Sequence, residues 1–182
     1  MTIVEAMKLR KRLAVKSSDL RKKIAEHCAI MDVTTPLYPD QKVVVSGWLQ
    51  AHRDIVKLME QLSVSIQRTN LSTDVTIVLG GKEITKTVAA WVVRRRELAP
   101  MDLSAWQLLT DRGLKEQPYT TPDNKTEIKV AKILRFFDPK ERDEMVDLFS
   151  NEPSRIDAKL ETVNATIQLV ENVIIDEDAL LK

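Results

Sequence analysis

The sequence has little of what secreted, disulfide-bonded and membrane-spanning proteins need. Its 182 residues contain one cysteine and four glycines, and aromatic residues make up 4%. One cysteine excludes an intramolecular disulfide framework and favours a reducing compartment. No apolar run approaches the roughly 18 to 20 residues that span a bilayer. The first residues also lack the basic-then-apolar order of a signal peptide. We therefore expect a chain that is not secreted and has no membrane partner.

The scarcity of histidine and cysteine also argues against catalysis. His27, His52 and Cys28 give no zinc-ligand spacing. Gly80-Gly81 has no following Gly-Lys-Ser/Thr, so it is predicted to be a turn rather than a phosphate loop. Cys28 lies on an apolar helical stripe and is expected to be a small buried hydrophobe. We predict no catalytic residue, no cofactor and no metal, and the sequence does not favour an enzyme.

Charge is plentiful and unevenly distributed. Charged residues make up 30% of the chain, a value typical of long solvated helices. Residues 1–31 hold eight basic and three acidic residues, whereas residues 138–182 hold five basic and twelve acidic ones. Helices of opposite sign, in one chain or in neighbouring copies, can lie side by side favourably. We predict a single elongated helical domain over residues 1–182, with a small β insertion and a docking tail at residues 173–182.

Two long helices are predicted in the first 70 residues. Thr2 and Glu5 form a capping-box pattern at the start of the first helix. Pro36 and Pro39 end it, and a second helix over residues 41–70 should form an antiparallel hairpin with it. Apolar residues recur in both helices in steps of three and four. The stripes are Ile3, Ala6, Leu13, Leu20, Ile24, Cys28 and Met31, and then Val45, Trp48, His52, Ile55, Met59, Leu62, Ile66 and Thr69.

A β-hairpin and a third helix should follow. The β-branched run of residues 75–79, the Gly80-Gly81 turn and residues 82–85 predict a hairpin. In the next helix, Pro100 should produce a kink or a break, and Gly113 should end it.

A further strand is predicted before the last helix. Residues 114–125 read as a loop because of their prolines, Asp123 and Asn124. Residues 126–136 then alternate as a strand that should pair with the earlier hairpin. Its apolar side is formed by Ile128, Val130, Leu134 and Phe136.

The last helix should begin at Asp138-Pro139, with Pro153 as a kink. Its stripe runs from Met145 to Ile174. The predicted fold class is mainly α: a long antiparallel helical hairpin or coiled-coil bundle with a small antiparallel β element at about residues 75–85 and 126–136. The residues expected to form packing interfaces are Leu13, Leu20, Trp48, His52, Ile55, Met59, Leu62, Leu160, Val163 and Ile167.

Two basic features bear on nucleic-acid binding. The run Arg94-Arg95-Arg96 points in three directions on a helix, and no aromatic residues interleave with it to stack bases. These arginines are expected to pair with acidic residues such as those of the last helix. The other feature is a basic patch on the first helix. It consists of Arg10, Lys11, Arg12, Arg21, Lys22 and Lys23.

Several segments resemble the bacterial septicolysin-like family. The resemblance lies in Met7–Arg10, Ile66–Asn70 with Thr73, Gly81–Thr85, Arg96–Leu98, Glu127–Lys129 and the stretch from Ile156 to Ile167. It implies long antiparallel helices with a small β element, similar in outline to the coiled-coil arm of seryl-tRNA synthetases. The family name suggests a cytolysin, but the missing export signal and membrane-length segment argue against that activity here.

The leading hypothesis is a non-catalytic structural or assembly subunit that acts through helical packing. Relatives of such families occur in phage genomes, so we expect a virion component, associated with a capsid or tail. Its partners would be further copies of itself and other virion proteins, in the host cytoplasm or the virion. The first alternative is a nucleic-acid-associated accessory protein that uses the basic first helix. The second is a pore-forming, cytolysin-like protein.

Overall fold

A computed structural model describes residues 1–121 and 124–171, and the side chains of residues 120–128 are not included. The fold is mainly helical with small antiparallel β elements, which confirms the predicted fold class. The described residues form two compact units. The first holds Met1–Asp74, Thr87–Ala89 and the residues from Leu160 onward, and the second holds Val75–Lys86 and Ala90–Lys159. The single domain stays a prediction, and the proposed docking tail lies outside the described residues.

Helix α1 (Ile3–His27) begins at the predicted capping box. Thr2 Oγ1 accepts a hydrogen bond from the Glu5 amide at 3.3 Å, and the Glu5 carboxylate accepts one from the Thr2 amide at 2.7 Å. The bond from the Thr2 backbone lowers the pKa of Glu5 below its usual value. Because both bonds are local, sequence alone is sufficient to place the start of α1.

Helix α2 (Gln41–Ser72) follows a loop that contains both predicted helix-ending prolines. Asp40 accepts a hydrogen bond from the Val43 amide at 3.1 Å and so caps α2. The Gln41 side chain donates to the His27 carbonyl at 2.9 Å, which pairs one of the carbonyl groups left over at the end of α1. The two helices pack against each other as the predicted hairpin.

The core of the first unit lies between α1 and α2. Leu58 and Ser65 are buried although the predicted stripe omitted them, because the buried face is wider than a simple seam. Four predicted stripe residues of α2 are buried: Ile55, Leu62, Ile66 and Thr69. The buried residues of α1 are Ile3, Ala6, Leu9, Leu13, Ser17 and Leu20. Partly buried residues that pack on this core include Trp48, Met59 and Ile167.

Two residues at the end of the α1 stripe correct the prediction. Cys28 is exposed, and Met31 is 71% exposed, although both were expected to be buried. Helix α1 ends at His27, so both residues lie beyond the last turn that α2 covers. Periodicity shows which face of a helix is apolar, but it does not show where the packing partner stops.

The chain after α5 (Pro139–Thr166) returns to the start of the first unit. The Ile3 amide donates to the Ile167 carbonyl at 3.2 Å, and the Leu169 amide donates to the Met1 carbonyl at 3.0 Å. Thr2 and Gln168 form an antiparallel bridge. Leu160, Val163 and Leu169 are buried in this unit. Both termini of the described chain are therefore anchored in one core.

Strands β1 (Asp74–Leu79) and β2 (Lys82–Thr87) form the predicted hairpin. The hairpin belongs to the second unit, except for its end residues Asp74 and Thr87, which belong to the first. Gly80 and Gly81 have φ values of +56° and +76°, which favour glycine at both turn positions. The hydroxyl groups of Thr76 and Thr85 lie 2.7 Å apart on one face. The other face of β1, with Val75, Ile77 and Leu79, is buried.

Helices α3 (Val88–Val93) and α4 (Ala99–Gln107) are joined by a π-helical turn over Arg94–Leu98. The Ala99 amide donates to the Arg94 carbonyl, which is the wide hydrogen bond of a π-turn. Pro100 stands at the start of α4, where its missing amide is tolerated. The predicted break thus takes the form of a π-turn. The predicted stop at Gly113 is wrong, because α4 already ends at Gln107.

The β element after α4 also differs from the prediction. Strand β4 (Asn124–Ala131) pairs with β3 (Gln117–Thr121), and not with the earlier hairpin. Residues 117–121, predicted to be loop, are therefore a strand. Pairing of neighbouring segments closes a short loop and costs less chain entropy than pairing with a distant hairpin.

The predicted strand also extends too far. Residues 132–136 are not strand, and Val130, Leu134 and Phe136 are exposed, so this apolar side is not buried. The side chain of Ile128 lies outside the described part of the chain.

Helix α5 begins at Pro139, as predicted, with the Asp138 carboxylate accepting a hydrogen bond from the Lys140 amide at 2.9 Å. Pro153 lies inside the helix. Within residues 1–121 and 124–171, we find no helix with the length and apolar character that crossing a membrane requires.

Candidate functional site

An open groove of about 430 Å³ lies where α1 ends and α2 begins. We call it the hairpin-tip groove. Of its polar members, Gln41, Lys42 and Ser46 come from the first turns of α2, and His27 comes from the end of α1. The full lining is His27, Cys28, Ala29, Ile30, Gln41, Lys42, Val45, Ser46 and Leu49. The groove lies between the start of α2 and the residues Cys28–Ile30, which follow the end of α1.

Large exposed apolar side chains occur in this groove and in the connecting loop. Ile30 and Leu49 line it and are 46% and 41% exposed. Met31, Val33 and Leu37 belong to the connecting loop, and Val33 reaches 88% exposure. Single exposed apolar residues are normal on a protein surface, whereas this short loop holds several of them. Val33 and Leu37 lay outside both predicted helical stripes, so the sequence gave these two apolar residues no packing partner.

Three aromatic rings pack together at the base of the connecting loop. The ring centre of His27 lies 6.0 Å from that of Tyr38 and 5.6 Å from that of Trp48. Tyr38 and Trp48 meet edge to face at 5.7 Å. Such edge-to-face arrangements stabilise beyond their buried area. Tyr38 therefore packs against both the end of α1 and the first turns of α2, and the exposed apolar residues precede it in the loop.

The six residues of the predicted basic patch are all exposed on α1. Arg10 Nη1 donates to Ser63 Oγ on α2 at 3.3 Å. The pairs Arg10/Arg21, Lys11/Lys22 and Arg12/Lys23 are each eleven residues apart, about three helical turns. Each pair therefore lies in its own row. The charges surround the exposed part of α1 and do not form a single line.

The arginine run pairs with the last helix, as predicted. Within the second unit, Arg94 Nε and Nη2 donate to the two oxygens of Glu152 at 2.6 and 2.9 Å. Arg94 Nη1 donates to Asp102 at 2.6 Å. The Arg94 guanidinium also lies 5.5 Å from the ring centre of Phe149. Arg95 pairs with Asp157 at 2.5 Å, so two of the three arginines are held by carboxylates of α5.

Burial makes the Arg94 pair unlike the other ion pairs. The side chain of Glu152 is 3% exposed and that of Arg94 is 17% exposed. The hydrogen bonds that Arg94 donates to Glu152 raise the pKa of Arg94 above its usual value, so the guanidinium stays charged. Glu152 was not singled out in the sequence, because glutamate is rarely fully buried unless it is paired. The π-turn that begins at Arg94 was not predicted either.

The predicted packing residues are divided between buried and half-buried positions. Leu13, Leu20, Ile55, Leu62, Leu160 and Val163 are buried by the chain itself. Trp48, His52, Met59 and Ile167 are half-buried. In the described ranges, 1–121 and 124–171, no group of three or more His, Cys, Asp or Glu side chains is placed to hold a metal ion.

No family model matches the chain. The chain is 30% identical over 112 residues to the non-catalytic subunit TRM82 of a tRNA (guanine-N(7)-)-methyltransferase from Debaryomyces hansenii. That match covers 60% of this chain and 23% of the relative, so the chain spans about a quarter of its length.

A solved structure has a similar fold. It is described as a functionally unknown conserved protein from Corynebacterium diphtheriae, and its TM-score to this chain is 0.53 at 17% identity. The match covers 93% of this chain and 98% of that one. At this identity the likeness shows the fold alone. The resemblance to the septicolysin-like family stays a prediction.

Proposed function

We propose that this chain is a non-catalytic assembly subunit that associates with further copies of itself through the hairpin-tip groove. The supporting observation is the exposed apolar loop, held by its aromatic base beside an apolar groove. In a monomer the side chains of Met31 and Val33 stay in water and do not stabilise the fold, whereas an interface would bury them. The helical seam itself is already filled within the chain, so it leaves no room for a partner.

A second copy is the partner favoured by the charges. The region around α1 is basic and the chain from residue 138 onward is acidic, so each copy carries both signs. Opposite charges on two copies would steer them together, and the apolar groove would supply the buried contact. Within this proposal, the assembly forms in a host cytoplasm or in a virion, as a capsid- or tail-associated component. Recovery of the chain with purified particles would test that finer assignment.

Self-association is tested by light scattering coupled to gel filtration. We expect wild-type protein to show a multiple of the 20.7 kDa chain mass at micromolar concentration. The double variant Ile30→Asp/Leu49→Asp should show the mass of one chain, because an unpaired carboxylate in an apolar contact is costly. Val15→Asp is the matched control, since Val15 is 59% exposed on α1 and lies outside the groove.

Two results would contradict the proposal. One is a wild-type mass of a single chain at every concentration. The other is an oligomer that the groove variant leaves intact while its circular dichroism shows an unchanged fold.

A nucleic-acid-associated accessory protein is the second candidate. It is favoured by the exposed basic patch on α1 and by the relative whose name describes a non-catalytic subunit of a tRNA-modifying enzyme. Under this reading, the affinity for RNA falls steeply as salt rises, because bound phosphates release counterions. Lys11→Glu/Lys22→Glu should weaken binding more than tenfold, by the same principle. Lys140→Glu/Lys159→Glu, with an equal charge change on α5, should have a smaller effect. Salt-independent binding, or equal losses in both variants, would remove this candidate.

A further inference from the structure

The second unit contains a cavity of about 380 Å³ that neither the packing seam nor the hairpin-tip groove explains. The β1–β2 hairpin forms one wall, and α3 and α5 form the other. Its apolar lining includes Leu79, Ile84, Met145, Leu148 and Phe149. A cavity of this size falls near the lower end of the range for small-ligand sites, about 300–1000 Å³. It therefore has room for a small apolar group.

Two lysines give this apolar cavity a cationic edge. Lys82 and Lys86 flank Ile84 at alternate positions of β2, so all three side chains lie on one face of the strand. All three line the cavity. Lys86 Nζ lies 5.3 Å from the ring centre of Trp91. Among the side chains that the structure describes, those of residues 1–119 and 129–171, neither lysine has a carboxylate partner.

The part of the cavity lined by Arg94 and Glu152 has no net charge. Arg94 and Glu152 both line it, but they neutralise each other through two hydrogen bonds. Trp91 is fully buried and donates from Nε1 to the Val75 carbonyl at 2.8 Å, which fixes this wall. The only charges free to meet a ligand among the described lining residues are thus the two lysine ammonium groups. An anion at the edge with an apolar body inside would satisfy both parts of the lining.

From these observations we infer that the cavity binds a small amphipathic anion. Lys82 and Lys86 hold the carboxylate or phosphate head group, and the hydrocarbon part packs between Leu148, Phe149 and Ile84. Charge-assisted hydrogen bonds to ammonium groups fix the head, and burial of the chain supplies affinity. This site is independent of self-association, because none of these residues lines the hairpin-tip groove.

Calorimetric titration with three probes tests the proposed ligand class. Octanoate carries both the head group and the chain, octanol carries the chain without charge, and acetate carries the head group without the chain. We expect octanoate to bind at a one-to-one ratio, and the other two to bind at least about tenfold more weakly. Raising the salt concentration should weaken octanoate binding, because the edge is solvated. No octanoate binding, or octanol binding as tightly, overturns the proposal.

A pair of matched variants locates the site. Lys82→Ala/Lys86→Ala should weaken octanoate binding about tenfold or more, because both head-group contacts are lost. Lys140→Ala/Lys159→Ala removes the same charge from exposed positions of α5 and should bind like the wild type. All four lysines are exposed, so both variants are expected to keep the fold. Equal affinities in the two variants would show that octanoate binds elsewhere.

Discussion

Replacing Leu62 by alanine is expected to lower the free energy of unfolding by about 2–5 kcal/mol. Leu62 is fully buried in the core between α1 and α2. Truncation removes its apolar contacts and leaves a cavity that the neighbouring helices fill only in part. Leu160→Ala should have a loss in the same range, because Leu160 is only 6% exposed. Urea denaturation followed by circular dichroism measures both.

Leu71→Ala provides the control for the Leu62 substitution. It makes the same chemical change in the same helix, but Leu71 is 65% exposed. Its effect should stay within about 0.5 kcal/mol, as is usual for surface positions. If Leu62→Ala and Leu71→Ala melted alike, the burial of the α2 face in this core would be wrong.

The features predicted correctly from the sequence are those fixed by local chemistry. The capping box at Thr2 and the Asp138-Pro139 start depend on residues within one helical turn. The Gly80-Gly81 turn likewise depends on the conformational freedom of glycine at positive φ. Helical periodicity then gave the buried face of α2, because one apolar stripe of a long helix needs a partner.

The features missed are those that depend on where partners begin and end. Cys28 continues the α1 stripe in sequence, yet α1 ends one residue earlier. Strand β4 had an apolar pattern, but its partner β3 lay in a segment whose prolines suggested a loop. A turn residue shows where a chain can bend and does not show which strand is paired afterwards.

The candidate sites were predictable only in class. Pairing of the arginine run with the last helix followed from charge, but the partner Glu152 did not, since a buried glutamate carries no local signature. The hairpin-tip groove was missed because the loop was treated as a helix stop. Val33 and Leu37 of that loop are exposed apolar residues in a segment that no predicted element could cover.

Replacing Glu152 by alanine is expected to destabilise the protein by about 3 kcal/mol. Removing one partner of a buried ion pair usually costs about 3–5 kcal/mol, because the other charge is left unpaired away from water. The lower end applies here, since Asp102 still accepts a hydrogen bond from Arg94. Arginine does not lose its proton in proteins, so the guanidinium stays charged after the substitution. Thermal or urea denaturation measures the loss.

Two further variants separate burial from simple charge removal. Asp157→Asn breaks the Arg95 pair, whose side chains are 42% and 50% exposed, and should cost at most about 1 kcal/mol. The double variant Arg94→Met/Glu152→Leu removes both buried charges and should be more stable than Glu152→Ala alone, because apolar groups of similar volume leave no buried ion unpaired. Asp102 loses its partner in this variant, but its side chain is 46% exposed and can be solvated. If the double variant were no more stable than the single one, an uncompensated charge would not be the cause. The packing of Glu152 against its neighbours would then account for the loss.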